Sequence, residues 1–236
     1  QLQRKIDRIV GRLICWMLSL LPQKQPAPEF RPQQILITLL SEMGSLVLAR
    51  PMFEKIQQEY PGASVHVLMF EKNRECLEIL GLVASDNIYT VRGDSAIDLA
   101  KDSVAFMKQA RKAGIDTVID CELFSRISSI YSWMSGATLR VGFYRHTMEG
   151  LYRGSFINRR VLYNPYQHIS QQFVTMVEAI SSTTTPRAKE ANKKVAQLPW
   201  MEFPAEEIES FRQRLEDDFP GILSRRLTLL YPSGGL

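Results

Sequence analysis

The sequence predicts an α/β protein built on a Rossmann-like parallel sheet. Short apolar runs of strand length alternate with segments of helical periodicity, an order that is typical of βαβ units. The runs carry apolar residues on both faces, as parallel strands do when helices cover both sides of the sheet. The composition is that of a globular chain, since 45% of the 236 residues are hydrophobic and 23% are charged.

The elements follow one another in a regular order after residue 34. Strands are predicted where runs rich in Val, Ile and Leu occur, at 35–40, 64–70, 87–91, 116–121 and 139–143. Helices are predicted where apolar residues recur every three or four positions, at about 46–60, through Cys76, and at about 95–113, 124–135 and 165–180. Pro61 and Gly62 end the first of these helices before the second strand.

Residues 1–22 predict an amphipathic helix. Its apolar stripe consists of Leu2, Ile6, Ile9, Leu13, Trp16, Met17 and Leu20. The unbroken apolar part, about 13–21, is much shorter than the ~20 residues that span a bilayer. Two interpretations stay open, a helix on a membrane surface or a helix packed against the domain or a partner. A linker with three prolines, 23–34, follows.

Two further boundaries are predicted from composition. The domain at 35–180 is followed by a polar, turn-rich linker at 181–203. A second unit is predicted at 204–236, with an acid-rich helix and then LTLLYPSGG as the opening strand and loop of another βα domain. The chain starts at Gln1 and ends in a glycine turn, so we expect a fragment with a truncated second domain.

Charge, cysteines and missing motifs disfavour several classes of protein. The net charge of +4, from 29 Lys and Arg against 25 Asp and Glu, is too mild to indicate nucleic acid, although it suits a partner with phosphates. Three cysteines without metal or disulfide spacing favour a reducing, cytoplasmic compartment. The sequence has no GxGxxG turn and no Walker lysine, which disfavours a nicotinamide-dependent epimerase or dehydrogenase. We predict no cofactor and no metal.

Candidate catalytic residues lie in the turn after the first strand. In a parallel sheet, the carboxyl ends of strands and the N-termini of the following helices face a crevice where ligands bind. Glu42 and Ser45 flank Gly44 in this turn. Glu42 is a candidate general base, and Ser45 a candidate cap for a helix beginning at Leu46.

A second group of polar residues follows the fourth strand. Asp120, Glu122 and Arg126 should face the same crevice, where two carboxylates and a guanidinium could grip a sugar or a phosphate. Alternatively, the carboxylates cap the next helix and Arg126 is solvated. His168, near a later helix start, is a further binding candidate. Residues 142–154, rich in Tyr, Arg and His, suit carbohydrate or lipid-phosphate binding or form an ordinary surface loop.

Several motifs together resemble a known family. The run ILITLLSEMGSLVLARPMFEKIQQEYPGASVHVL resembles the opening of glycosyltransferase family 9, the ADP-heptose:lipopolysaccharide heptosyltransferases. In that family an apolar strand, Ser-Ser-x-Gly-Asp and a proline-containing helix precede Tyr-Pro-Gly-Ala. DTVIDCELFSRISSIYSWMSGATLRVGF is similar to the family's Asp-containing strand, Arg-bearing helix and Arg-x-Gly-Phe, and LTLLYPSGG to the turn that opens its donor domain.

The resemblance implies a GT-B fold of two facing Rossmann-like domains, with 35–180 on the acceptor side and 204–236 as the start of the donor side. It implies inverting transfer by direct displacement without an obligatory metal, in which a carboxylate deprotonates the acceptor hydroxyl. The residues expected to bind substrate are Gly44, Asp120, Glu122, Arg126 and His168. The donor is expected at Ser233 and Gly234.

This chain departs from the family's pattern at one position. Where the family has its catalytic Asp after the glycine of the first turn, the chain has Ser45, whose hydroxyl is not a base at neutral pH without a partner. Glu42 is the nearest carboxylate and is the predicted base. Asp120 or Glu122 is the fallback.

These observations lead to one prediction and one alternative. The prediction is a cytoplasmic glycosyltransferase, peripheral to the inner membrane through residues 2–21, that moves a heptose or related sugar from a nucleotide sugar such as ADP-heptose. Its acceptor is a lipopolysaccharide-type or lipid-linked glycan, and the fragment alone is expected to be inactive. The alternative is a catalytically silent GT-B protein that binds a glycan or a partner.

Overall fold

A computed structural model describes residues 7–27, 29–40, 43–93, 95–123, 125–144, 153–182 and 203–228 of the chain. Chain contacts divide the molecule into two units, Gln1–Pro199 and Trp200–Leu236. The predicted site residues Glu42, Ser233 and Gly234 lie outside the described residues, as does most of the predicted linker at 181–203.

The first unit contains a six-stranded sheet that is parallel throughout, in the order β3-β2-β1-β4-β5-β6. The strands are β1 (Gln34–Thr38), β2 (Ser64–Phe70), β3 (Ile88–Val91), β4 (Thr117–Asp120), β5 (Leu139–Phe143) and β6 (Arg159–Val161). The predicted α/β class is therefore confirmed. Strand β6 was not predicted, because two of its three residues are arginines and it has no apolar run.

Helices connect the strands and cover both faces of the sheet. In the first unit they are α1 (Arg12–Ser19), which continues a π-helical turn at Asp7–Gly11, α2 (Met43–Leu48), α3 (Arg50–Glu59), α4 (Arg74–Leu80), α5 (Ala96–Ala113), α6 (Arg126–Met134) and α7 (Ile169–Ser181). The single helix predicted at about 46–60 is thus two helices. Pro51 explains the break, because it has no amide hydrogen and its ring opposes the carbonyl of Val47.

The two sides of the sheet form separate cores. Ile35 and Ile37 of β1 pack on one side, which α3, α4 and α7 cover, and Leu36 packs on the other, which α5 and α6 cover. Burial on both sides is the reason why the strands read as continuous apolar runs rather than as alternating ones. The residues after each strand are left at the carboxyl edge of the sheet, where the chain turns outward into the next helix.

The second unit is described at 203–228. It contains helix α8 (Ala205–Asp218), as predicted, and a short 3₁₀ helix at Ile222–Ser224. The carboxylate of Glu216 accepts hydrogen bonds from the amides of Gly221 and Leu223, which closes the turn after α8. The strand predicted from LTLLYPSGG lies outside the described residues except for its first two positions.

Candidate active site

The strand order places a crevice at the centre of the sheet. β1 and β4 are neighbours, yet the chain leaves β1 toward the face of α3 and leaves β4 toward the face of α6. The turns after the two strands therefore diverge, and the gap between them is the topological switch point at which open α/β sheets bind ligands. The turns that carry Gly44 and Glu122 border this gap.

The turn after β1 is held from two sides. Oε1 of Glu122 accepts a 2.7 Å hydrogen bond from the amide of Leu40, and Nδ2 of Asn73 donates to the Leu40 carbonyl at 3.1 Å. Asn73 is buried, although its side chain is polar. Both backbone groups of Leu40 are thus bound to side chains from neighbouring strand ends. In the sequence, Glu42 follows two residues after this anchored position.

Gly44 and Ser45 lie at the start of α2. Because α2 begins at Met43, Ser45 lies in the first helical turn rather than at an N-cap before Leu46. Gly44 is exposed, and no atom of the described residues would lie within 4 Å of a methyl group added there. The backbone of Gly44 is therefore accessible, and Ser45 is half-buried beside it.

Asp120 is the buried end of β4. Its carboxylate is fully buried and pairs with Arg153, which is also fully buried. The Ser128 hydroxyl donates to the same carboxylate oxygen at 3.0 Å, and the Glu122 amide donates to the other at 3.2 Å. Asp120 is thus enclosed by protein groups and is not open to solvent at the crevice.

Arg153 joins several elements around that carboxylate. Its Nε donates to Ser129 Oγ at 2.8 Å, and its Nη1 donates to the carbonyls of Glu122 at 2.6 Å and Phe143 at 3.4 Å. The guanidinium thereby connects the carboxyl ends of β4 and β5 to the first turn of α6. The neighbouring Cys121 is buried as well, and burial raises the pKa of its thiol well above the ordinary value, so the thiol stays protonated.

The remaining predicted residues lie apart from one another. Arg126 is buried, and its guanidinium pairs with Asp7 at 3.3 Å. His168 is exposed at the N-terminus of α7, where its Nδ1 accepts a hydrogen bond from the Ser170 amide. Strand β6, which leads to His168, is three strands from β1, about 14 Å at ~4.8 Å per strand. The structure thus brings Asp120 and Glu122 into direct contact, and Glu122 also binds Leu40, four residues before Gly44.

Two residues of this region were missed by sequence reasoning. Asn73 ends the short 3₁₀ helix that follows β2, and its signal was a polar residue shortly after an apolar strand, as for Glu122. Arg153 lies in the segment 142–154 noted in the sequence, but its structural role was missed, because its partner Asp120 is 33 residues away. Tyr144, from the aromatic segment noted above, follows β5 at the same edge, and the guanidinium of Arg160 lies 4.1 Å from its ring centroid.

Comparison with solved structures shows what this arrangement is similar to. A glycosyl transferase family 9 protein from Veillonella parvula aligns with a TM-score of 0.57 and 16% identity, covering 79% of this chain and 49% of that one. E. coli ADP-heptose lps heptosyltransferase II aligns with a TM-score of 0.59 and 14% identity, covering 78% of this chain and 50% of that one. This chain has the fold of the family 9 glycosyltransferases.

A third neighbour carries a nucleotide. E. coli heptosyltransferase WaaC with ADP aligns with a TM-score of 0.53 and 19% identity, covering 66% of this chain and 49% of that one. The resemblance predicted from sequence is thus confirmed at the level of fold. The chain spans about half the length of these solved structures. No protein-family model matches the sequence, and no curated protein matches it either.

Proposed function

We propose that the protein is an inverting glycosyltransferase that moves a heptose or related sugar from a nucleotide sugar, of the ADP-heptose kind, to a lipopolysaccharide-type or lipid-linked glycan. The observation that carries the proposal is the anchored turn at the switch point of a sheet that shares its fold with heptosyltransferases. The solved neighbour with ADP supports an adenine nucleotide as part of the donor.

The proposed reaction is a single displacement. Glu42 takes the proton of the acceptor hydroxyl, whose oxygen forms a bond to the anomeric carbon of the sugar. The bond from that carbon to the diphosphate oxygen breaks, and the nucleoside diphosphate leaves with the electron pair. Attack opposite the leaving group inverts the anomeric centre. The amides near Ser233 and Gly234 are proposed to hold the diphosphate, and no cofactor or metal is needed for these steps.

Glu42 is proposed as the base because the chain just before it is held in place by hydrogen bonds. Its turn starts at Leu40, which Glu122 and Asn73 hold by both backbone groups, and a general base acts only from a well-defined position. Asp120 is a weaker candidate, because its carboxylate is buried against Arg153. Glu122 and Gly44 are proposed to shape the acceptor side of the crevice, with Arg126 and His168 nearer its margins.

The decisive experiment measures ADP release from ADP-heptose with a deep-rough lipopolysaccharide acceptor, using the full-length protein. Glu42→Gln should lower the rate by about a hundredfold or more, the usual scale for a general base, with an unchanged melting temperature. The matched control is Glu75→Gln, an exposed carboxylate in the first turn of α4, which should retain activity. Equal rates for both variants would place the base elsewhere.

The alternative is a catalytically silent protein that binds a glycan or a partner. Ser45 favours it, since a hydroxyl stands where the resembled family has its catalytic carboxylate. Ser45→Asp separates the two proposals. In a silent protein the new carboxylate should create ADP release above that of wild type. If Glu42 is the base, a second carboxylate in the same turn should leave the rate unchanged or lower it, because two like charges compete there.

We also propose a location at the cytoplasmic face of the inner membrane, reached through residues 2–21. Within the described part of the chain, no helix has the length and hydropathy needed to cross a bilayer. The proposal concerns attachment to the membrane surface. It is supported by the character of the N-terminal helix and by the lipid-linked nature of the proposed acceptor.

A further inference from the structure

Within the described residues, the N-terminal helical segment 7–19 is attached to the first unit at both ends and in the middle. Oδ1 of Asp7 accepts hydrogen bonds from the amides of Arg126 at 2.9 Å and Ile127 at 3.1 Å, so it caps α6. Cys15 is fully buried against Phe156 and Ile157. These contacts place one edge of the helix against α6 and the segment that precedes β6.

The end of the helix is attached as well. Ser19 Oγ accepts from the Ser155 amide at 2.9 Å, and Gln23 Oε1 accepts from Arg140 at 3.1 Å. At the other end, a Cβ added to Gly11 would lie 2.9 Å from the Arg126 Cβ, so the absence of a side chain permits the close approach. The helix is therefore a fixed part of the unit rather than a tether.

The opposite side of the same segment is apolar and exposed. We call it the α1 ridge, and it consists of Ile9, Val10, Leu13, Trp16, Met17, Leu20 and Leu21, each between 46% and 68% exposed. Seven large apolar side chains on 13 consecutive positions form a contiguous patch, which a soluble surface rarely carries without a partner. The described part of the apolar stripe seen in the sequence is thus exposed. The small residues Gly11 and Cys15 lie on the side that packs against the domain.

The charges around the α1 ridge indicate the partner. Residues 8–27 contain no Asp or Glu, whereas Arg8, Arg12 and Lys24 lie in this range. Arg12 and Lys24 are exposed. The carboxylate of Asp7 is already used by α6 and Arg126. An apolar face whose charged neighbours within residues 8–27 are all basic complements an anionic lipid surface, whereas a symmetric pairing of two copies would bring these cations together.

We propose that the α1 ridge inserts into the interface of an anionic lipid bilayer and orients the active-site crevice beside it. Asp7 lies at the N-terminus of α6, at the carboxyl edge of the sheet, and Gln23 meets Arg140 near the start of β5, at the opposite edge. The ridge therefore runs down the flank of the sheet from the crevice side, and lipid headgroups lie next to the crevice. The consequence for a lipid-linked acceptor rests on the proposed function.

The first test measures co-sedimentation of the full-length protein with vesicles of phosphatidylethanolamine and phosphatidylglycerol, and with vesicles of phosphatidylcholine alone. Wild type should bind the anionic vesicles more strongly. Leu13→Gln with Trp16→Gln should weaken that binding at least about tenfold, because two apolar side chains no longer leave water. Ile97→Gln, an equally exposed position on α5, is the control and should bind like wild type.

Three outcomes would each overturn the proposal. Wild type could bind neither vesicle type, or the double variant could bind vesicles as strongly as wild type. The third is a dimer in ultracentrifugation that depends on the α1 ridge, with no binding to vesicles. Both substituted positions are exposed, so the melting temperature should not change.

The second test compares acceptors. The double variant should lose transfer to a vesicle-embedded acceptor at least about tenfold, yet keep wild-type rates on the same glycan without its lipid. Equal losses on both acceptors would overturn the orienting role. If wild type binds vesicles but turns over neither acceptor, the proposed function fails while the membrane surface stands.

Discussion

At the residue scale, Glu122 connects the two central strands of the sheet. Its carboxylate belongs to the turn after β4 and accepts from the amide of Leu40 after β1. The bond crosses the switch point, so it sets the spacing between the two turns that border the crevice. The same side chain was predicted to bind substrate, and a test must separate these two roles.

Two substitutions of Glu122 make that separation. Glu122→Gln keeps an oxygen for the Leu40 amide and should change the free energy of unfolding by less than about 1 kcal/mol, whereas Glu122→Ala leaves that amide unpaired and should cost about 1–3 kcal/mol. If the role is to position the turn, Glu122→Gln should also retain ADP release. Urea unfolding and rate measurements on both variants decide this, and a large loss of rate with intact stability in Glu122→Gln would show that the charge itself is needed.

A second prediction at this scale concerns His66, which is buried in β2. Its ring lies between Gln34, whose Oε1 is 2.8 Å from Nε2, and Tyr89, whose hydroxyl is 3.2 Å from Nδ1. Burial lowers the pKa of His66 below 6.5. The folded ring therefore stays neutral at a pH at which the unfolded ring is protonated.

The difference between the folded and the unfolded pKa of His66 sets the direction in which stability changes with pH. The unfolded state binds the extra proton, so the free energy of unfolding should be highest above about pH 6.5 and should fall as the pH drops toward the folded pKa. Urea unfolding at pH values on both sides of 6.5 measures the fall. His66→Gln should reduce it. An identical fall in His66→Gln would rule out His66 as its source.

At the element scale, Arg153 stabilises the junction of β4, β5 and α6. Its five donor positions are directed at Asp120, two serines and two carbonyls, and both charges are fully buried. A buried pair is costly to break, because the charge left behind has no solvent. Gly154 follows with φ of 92°, and a Cβ there would overlap the Phe156 ring, so the turn after Arg153 requires glycine.

Arg153→Met should therefore lower the free energy of unfolding by about 3–5 kcal/mol, because Asp120 becomes an unpaired buried carboxylate. The double variant Asp120→Leu with Arg153→Met should be less destabilised than Arg153→Met alone, since it leaves no buried charge. Urea denaturation of the two variants gives the comparison. A cost below about 1 kcal/mol for Arg153→Met would contradict the described role.

At the scale of the whole molecule, five strands of the parallel sheet were predictable and the edge strand β6 was not. β1 to β5 are buried on both sides, so their composition alone marks them, whereas β6 is a three-residue edge strand with two arginines. The break between α2 and α3 depends on one proline, and helical periodicity continues across it. Residues at the carboxyl edge of the sheet could be predicted because the ends of the apolar strands can be recognised in the sequence.

The partners of those residues could not be read from the sequence. Arg126 was expected to be free for a ligand or in solvent, yet its partner Asp7 lies 119 residues earlier. The sequence also identified the apolar stripe of the N-terminal helix but not its direction, because an amphipathic pattern does not say which side the domain covers. The contacts of Gly11 and Cys15, small residues on the opposite side of the helix, show which side packs against the domain.

The most direct test of the central claim is the mass of the acceptor glycan after incubation of the full-length protein with ADP-heptose, for wild type and for Glu42→Gln. Wild type should add the mass of one heptosyl residue to the acceptor. Glu42→Gln should have the same melting temperature but add this mass about a hundredfold more slowly. An acceptor of unchanged mass with wild type, although the protein binds donor and acceptor, would contradict the central claim.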